Sequence, residues 1–287
     1  MKLVLILLDA CRYDYISKDT TPFLYKLSKN NKYYPKIAPS YGFCERSEIF
    51  IGKTSYELDL FTSLGFNKDN SPYKNYFFFD YLDKIEKFCN SKFISKLIRR
   101  FIWEISKNKK FSYHPAKIPL NILKYFALTE DGKNSYIDSD PLSLFNLLKD
   151  KVFKNTNTSL TNRLNLTDDQ RLDLVLQNIN SKYIFYPVYI SILDQIGHSH
   201  GPNSLNIKTN LKILDKKIES FFNKIMAKNN KTSFIFCGDH GMATVKNTIN
   251  IIELINEFKI YNSMHNEDLI YFIDSTLCRI WFKKNKK

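Results

Sequence analysis

Leu3-Val4-Leu5-Ile6-Leu7-Leu8-Asp9 opens the chain with an unbroken apolar run that stops at a carboxylate. A run without polar alternation suits a central strand of a parallel sheet, covered on both faces. Its C-terminal end is the edge at which open α/β sheets bind ligands, and Asp9 stands there. Two further stretches repeat the pattern. Tyr183–Leu193 reads as a second buried strand ending at Asp194, and Ser233–Cys237 as a third ending at Gly238, Asp239 and His240.

Helices are expected between these strands. Thr20 or Thr21 caps one, with Pro22 in its first turn. The stretch ERSEIFIGK, from Glu45, reads as another helix start, and Thr167-Asp168-Asp169-Gln170 is a capping box before RLDLVLQNI. Residues 204–228 form a long amphipathic helix, a short helix lies near 248–258, and strands at 268–273 and 277–282 close the chain. The alternation defines an α/β core. Residues near 68–150 show no buried strand pattern, so the expectation is one domain over 1–287 carrying a mainly helical cap insertion at about 68–155.

Charge and cysteine usage narrow the class. The formal net charge is +14, but the lysines are scattered along the whole chain, which reads as solvated surface. No helix-turn-helix, RNP-like or zinc-finger pattern accompanies them, so nucleic acid is not an expected partner, and no GxxxxGK[ST] loop occurs. The five cysteines, Cys11, Cys44, Cys89, Cys237 and Cys278, include no CxxC pair and are odd in number. A disulfide framework is therefore not expected and a reducing compartment is. The apolar start is too short for a signal peptide, and no other run approaches a membrane span, so a soluble cytoplasmic protein is expected.

Asp9, Asp194, His198, Asp239 and His240 carry the chemistry of this reading. Hard carboxylate oxygens and imidazole nitrogens at strand ends suit a pair of divalent ions, zinc first, with manganese or magnesium as alternatives. Such a pair clamps the attacking and leaving oxygens of a displacement at phosphorus. Gly238 and Gly241, flanking Asp239 and His240, let the backbone turn closely around an ion.

Five segments in order, LLDACRYDYI from Leu7, TPFLYKL from Thr21, PSYGFCERSEIFIG from Pro39, DQIGHSHGP from Asp194 and GDHGM from Gly238, resemble the type I phosphodiesterase/nucleotide pyrophosphatase branch of the alkaline-phosphatase superfamily. The resemblance runs over roughly residues 3–285 and is poor around 75–155. It implies an alkaline-phosphatase-like sandwich: a central, mostly parallel sheet flanked by helices. It also implies one zinc on Asp9, Asp239 and His240 and another on Asp194 and His198, with His200 a supporting or surface residue. The activity it implies is hydrolysis of phosphate esters. The substrate expected is a phosphorylated small molecule or a glycan- or lipid-linked phosphate.

The match departs from the family pattern at two places. Counting back from Gly52, the family's nucleophile position falls on Gly42, which has no side chain. Cys44 is the nearest alternative nucleophile, since a helix N-terminus and a zinc ion stabilise a thiolate. Ser40 and Ser47 are weaker choices, and metal-bound hydroxide needs no side chain at all. Arg46 is the first choice for binding the remaining phosphate charge. The late family histidine is also missing: His265 stands in a different context, SMHNEDL, and His114 lies in the cap with no motif around it. Either the chain is truncated or the second ion has fewer ligands. Two other readings follow: a degenerate relative that binds a phosphorylated ligand without turnover, and a sulfatase-like esterase, against which Gly42 argues.

One basic, aromatic segment stands apart. Phe93, Ile94, Leu97, Ile98, Phe101, Ile102 and Ile105 recur near helical spacing among Lys92, Lys96, Arg99, Arg100, Lys107, Lys109 and Lys110. A cap helix packed on the core is preferred here to a helix lying on an anionic membrane through residues 92–110.

Overall fold

The computed structural model describes residues 1–37, 45–58, 64–109, 113–115, 118–128, 140–153, 166–265, 268–274 and 277–282, except the side chains of Glu45, Arg46 and Asp274. In chain order the elements are β1 (Lys2–Leu8), α1 (Pro22–Asn30), α2 (Glu45–Ile51), α3 (Ser55–Leu58), β2 (Leu64–Phe66), α4 (Phe79–Cys89), α5 (Lys92–Ser106) and β3 (Phe126–Leu128). Then come α6 (Leu144–Leu148), α7 (Asp168–Asn178), β4 (Phe185–Ile190), α8 (Ile192–His200), α9 (Leu205–Lys228), β5 (Thr232–Gly238), α10 (Ile251–Tyr261), β6 (Leu269–Asp274) and β7 (Leu277–Phe282). They fall into two compact units: Met1–Ser63 with Lys133–Thr244, and Leu64–Gly132 with Val245–Lys287.

The first unit holds the expected α/β core. Its described sheet is parallel in the order β4-β1-β5, with Leu7 opposite Tyr189 on one side and Cys237 on the other. The unbroken apolar run of β1 is explained by its two covered faces. Val4, Ile6 and Leu8 pack with residues of α7 and α9, among them Val175, Ile207 and Ile218. Leu5 and Leu7 point the other way, towards Phe50, Phe145, Val152 and Phe185. Val4, Ile6 and Leu7 are fully buried, and each such side chain is worth about 1.5–3 kcal/mol relative to exposure.

Local signals place the surrounding helices. Thr21 is the residue before α1 and Pro22 is its first, although the Thr21 hydroxyl donates to Tyr15 O instead of capping the helix. The capping box forms at α7: Gln170 N donates to Thr167 Oγ1 at 3.2 Å and Thr167 N to Gln170 Oε1 at 2.8 Å. Residues 140–153, at the end of the expected cap, belong to the first unit, where Phe145 and Val152 join the core.

One strand expectation is corrected. The apolar run Tyr183–Leu193 is not a single strand: β4 stops at Ile190 and α8 begins at Ile192. The Asp168 carboxylate explains the change. It accepts the Ser191 and Ile192 amides, each at 3.1 Å, and so starts a helix directly after the strand. Asp194 therefore sits in the first turn of α8 rather than at a strand end.

The second unit is built on aromatic packing. Tyr73, Phe79, Ile102, Tyr113, Leu120, Phe126 and Phe272 form its core. Helices dominate residues 64–132, but β2 and β3 pair there as an antiparallel ribbon. Strands of three residues are too short to show a period; their pairing is accompanied by Phe66 stacked on Trp281 and Phe126 set edge-on to it. The terminal strands appear as the antiparallel pair β6–β7, and the helix expected near 248–258 runs from Ile251 to Tyr261. Among the described residues no helix is long and apolar enough to cross a membrane.

Candidate metal centre and active site

Asp9 continues the β1 ladder by one bond, its amide donating to Ile190 O at 2.9 Å, and its side chain is buried. Ala10 then takes a left-handed conformation, φ 56°, which turns the chain away from the sheet. For a residue with a Cβ this costs about 1–2 kcal/mol. The turn aims the Ala10 amide at Asp239 Oδ1, 3.1 Å away, and the same oxygen accepts the His240 amide at 2.8 Å. Asp239 thus ties the end of β5 to the turn after β1.

Gly238 permits this approach. A Cβ there would lie 2.6 Å from the Cys11 carbonyl oxygen, so the space its missing side chain leaves is taken by backbone rather than by an ion. Gly197 plays a similar part, because a Cβ on it would meet Met242 Sδ at 2.7 Å. The glycines of DQIGH and GDHGM therefore let the two motifs pack closely. Arg12 adds polar ties to Asn203 Oδ1 (3.1 Å), Met242 O (3.2 Å) and Asp14 (2.6 Å).

The ligating atoms converge across three elements. His240 Nδ1 donates to Gly241 O at 2.9 Å, and Nε2 faces Asp9 Oδ1 at 3.1 Å. A carbonyl bond at Nδ1 is the arrangement that frees Nε2 for a metal. One ligand atom each of Asp9, Asp194 and His240 lies within 4.8 Å of the others. His198, one helical turn beyond Asp194, approaches Asp194 Oδ1 at 3.3 Å but is 74% exposed. His200 is on the surface.

Two carboxylates and an imidazole form a donor set that fits a divalent cation of the zinc or manganese kind. The electrostatics agree. Burial, then the neighbouring Asp9 charge, pushes the Asp239 carboxyl up to about 6. The hydrogen bond to Asp9, with Asp239 adding its charge, raises His240 to about 9. Converging negative charge of this kind is relieved by a cation. Of the five candidates, Asp194 stands with Asp9 and His240, His198 lies beside Asp194, and Asp239 precedes His240. Among the described residues no second group of three ligands is found.

Support comes from residues the sequence reading did not single out. The Tyr189 hydroxyl donates to Asp9 Oδ2. Arg171 lies over the Tyr189 ring at 5.5 Å and donates to Tyr189 O at 3.1 Å and to Asp168 Oδ1 at 2.9 Å. Asp168 in turn holds the start of α8. An aromatic hydroxyl just before the end of a buried strand was the available signal for Tyr189.

Ser40, Gly42 and Cys44, and the side chain of Arg46, lie outside the described residues. Ser47 is buried in α2. Burial, then the Asp239 charge, pushes the Cys11 thiol up to about 12 and raises Cys237 as well, which disfavours a thiolate at either position. His114 packs against Trp103, and His265 lies before β6, its amide donating to Asp268 Oδ2 at 2.8 Å; both belong to the second unit.

A parallel sheet flanked by helices, with acidic and imidazole groups gathered near its carboxyl edge, is the arrangement of an alkaline-phosphatase-like fold. Residues 73–284 match the family model of the type I phosphodiesterase / nucleotide pyrophosphatase, and the chain belongs to that family. Asp194, Asp239 and His240 lie inside the match and Asp9 precedes it. Among individual relatives, the chain is 38% identical over 71 residues to GPI ethanolamine phosphate transferase 1 of Homo sapiens, covering 24% of this chain and 8% of that protein. It is 25% identical over 258 residues to GPI ethanolamine phosphate transferase 2 of Debaryomyces hansenii, covering 86% of this chain and 24% of that protein. The chain thus spans less than a quarter of the length of the relatives it matches.

Proposed function

We propose that the chain carries a metal-dependent centre that cleaves or transfers a phosphate diester, with ethanolamine phosphate as the group handled. The convergence of Asp9, Asp194 and His240 carries this reading. The names of the relatives favour the substrate class. Asp9, Asp194 and His240 would hold a divalent ion, which would supply Lewis-acid polarisation of a phosphoryl oxygen and lower the pKa of an attacking hydroxyl. The protein does the positioning. Tyr189 orients Asp9, the Gly241 carbonyl fixes the His240 ring, and Asp239 locks β5 to the turn after β1. His198 beside Asp194, and Asp239, are the remaining candidates for holding a second ion, zinc first, manganese or magnesium otherwise. Cys44 as nucleophile and Arg46 as phosphate ligand rest on sequence alone.

The test loads the full chain with zinc or manganese and follows p-nitrophenyl phosphoethanolamine beside p-nitrophenyl phosphate and sulfate. Turnover of the phosphoethanolamine ester should fall by about a thousandfold in Asp9→Asn and His240→Ala, with bound metal falling in parallel. Metal uptake and ligand binding without turnover would mark a degenerate, ligand-binding relative. A chain that takes up no metal and turns over none of the esters would end the proposal.

A further inference from the structure

Helix α5 is apolar on two sides. Its inner side is accounted for within the second unit: Ile102 is fully buried and Ile98 packs on the same core. Arg99 also turns inward, its guanidinium donating to both Glu86 carboxylate oxygens at 2.9 and 2.8 Å and to Ile118 O at 2.9 Å. The outer side carries Phe93, Leu97 and Phe101, which are 70%, 52% and 54% exposed and stand at successive i, i+4 positions. Each is preceded by an exposed cation, Lys92, Lys96 and Arg100. From Lys92 through Trp103 the sequence holds no acidic residue, and the one acid of the helix, Glu104, one turn beyond Arg100, is paired with Lys107. The preceding helix α4 continues the theme, with exposed Tyr81 and Phe88 on one face and Lys84 between them.

Scattered exposed apolar residues are ordinary, but three in register along one helix face are not. Helical spacing sets the three cations along one flank of the apolar strip. An uncharged partner would leave those cations unpaired. A second copy of this face would bring like charges together, which is repulsive. An anionic lipid surface satisfies both halves, taking the apolar side chains at the acyl boundary and the cations among its headgroups.

We propose that the outer face of α5 docks on an anionic phospholipid bilayer, lying in its plane, with Phe93, Leu97 and Phe101 inserted and Lys92, Lys96 and Arg100 at the phosphates. The packing preferred from sequence holds for the inner face, through Ile98 and Ile102, while the Phe93–Leu97–Phe101 strip stays exposed and is the part that meets lipid. Docking does not depend on the catalytic reading, since it needs neither metal nor turnover.

The test is flotation of the full chain with vesicles of phosphatidylcholine alone or with about 30% phosphatidylserine. Binding should be at least about tenfold stronger on the anionic vesicles and should weaken with salt. Two triple variants, Phe93→Ser with Leu97→Ser and Phe101→Ser, and Lys92→Glu with Lys96→Glu and Arg100→Glu, should each lose about tenfold or more while their far-UV circular dichroism matches wild type. All six side chains are on the surface, so the melting temperature should hold; if the serine variant misfolds, the charge-reversal variant decides. Failure of the wild type to float with anionic vesicles overturns the proposal, as does either folded variant floating as well as wild type. Self-association in the absence of lipid that the serine variant abolishes, with no vesicle binding, assigns the face to a second copy and overturns it too.

Discussion

Tyr189 on β4 donates its hydroxyl to the carboxylate of Asp9 at the end of the neighbouring parallel strand. The ring beneath that hydroxyl carries Arg171, and Arg171 holds Asp168, which starts the helix bearing Asp194. A continuous set of contacts through Tyr189, Arg171 and Asp168 therefore joins Asp9 to the helix that carries Asp194.

Tyr189→Phe removes only the hydroxyl. Zinc affinity measured by calorimetric titration should fall about tenfold or more, as for other partners of metal ligands. Folding stability should change by only about 1 kcal/mol. An unchanged affinity would show that Asp9 keeps its orientation without the tyrosine.

Asp168→Ala should be the more damaging change to the fold. It leaves the Ser191 and Ile192 amides without their acceptor and the buried Arg171 guanidinium without its carboxylate. A loss of about 3 kcal/mol in urea denaturation is expected, with metal affinity falling through displacement of Asp194. A loss below about 0.5 kcal/mol would mean the helix start is held by other contacts.

Gly238→Ala places a methyl 2.6 Å from the Cys11 carbonyl, which is backbone and yields poorly. Destabilisation of about 1–3 kcal/mol is expected, read as a lower melting temperature. The turn at Ala10 and the Asp239 contact to it should shift together, so metal binding should weaken as well. Wild-type stability in this variant would refute the tight approach.

The pH dependence has a definite sign. His240, ordinarily at 6.5, is raised to about 9 in the metal-free chain. Its contribution to stability is full below about pH 6.5 and is lost as pH climbs through about 9. Asp239, raised from 3.8 to about 6, acts in the same direction: folding favours its protonated form, so stability falls as pH rises from about 4 through 6. A metal ion competes with these protons and binds more tightly over the same span. The melting-temperature increment produced by zinc should therefore grow between about pH 6 and 9; an increment flat across that range contradicts the assignment.

Much of the core is legible in the sequence because its signals are local. The short apolar run Leu3–Leu8, closed by Asp9, suits a strand covered on both sides, and the Thr167–Gln170 box closes on itself within one turn. The acidic and imidazole residues of DQIGHSHGP and GDHGM are likewise visible as types in a spacing. The boundary between β4 and α8 is not visible, because the group that starts the helix, Asp168, lies more than twenty residues upstream and across the fold. The same is true of Tyr189, whose role exists only once β4 and β1 lie side by side.

Sequence alone therefore determined the α/β class, the family and the residue types of the candidate metal centre. Each of these depends on the composition and order of short segments. Tertiary structure alone decided that Asp194 stands with Asp9 and His240, that Asp239 bridges two turns through backbone amides, and which side of α5 faces outward. Those outcomes depend on distances between segments far apart in the chain, which are set by packing and have no local sequence pattern to announce them.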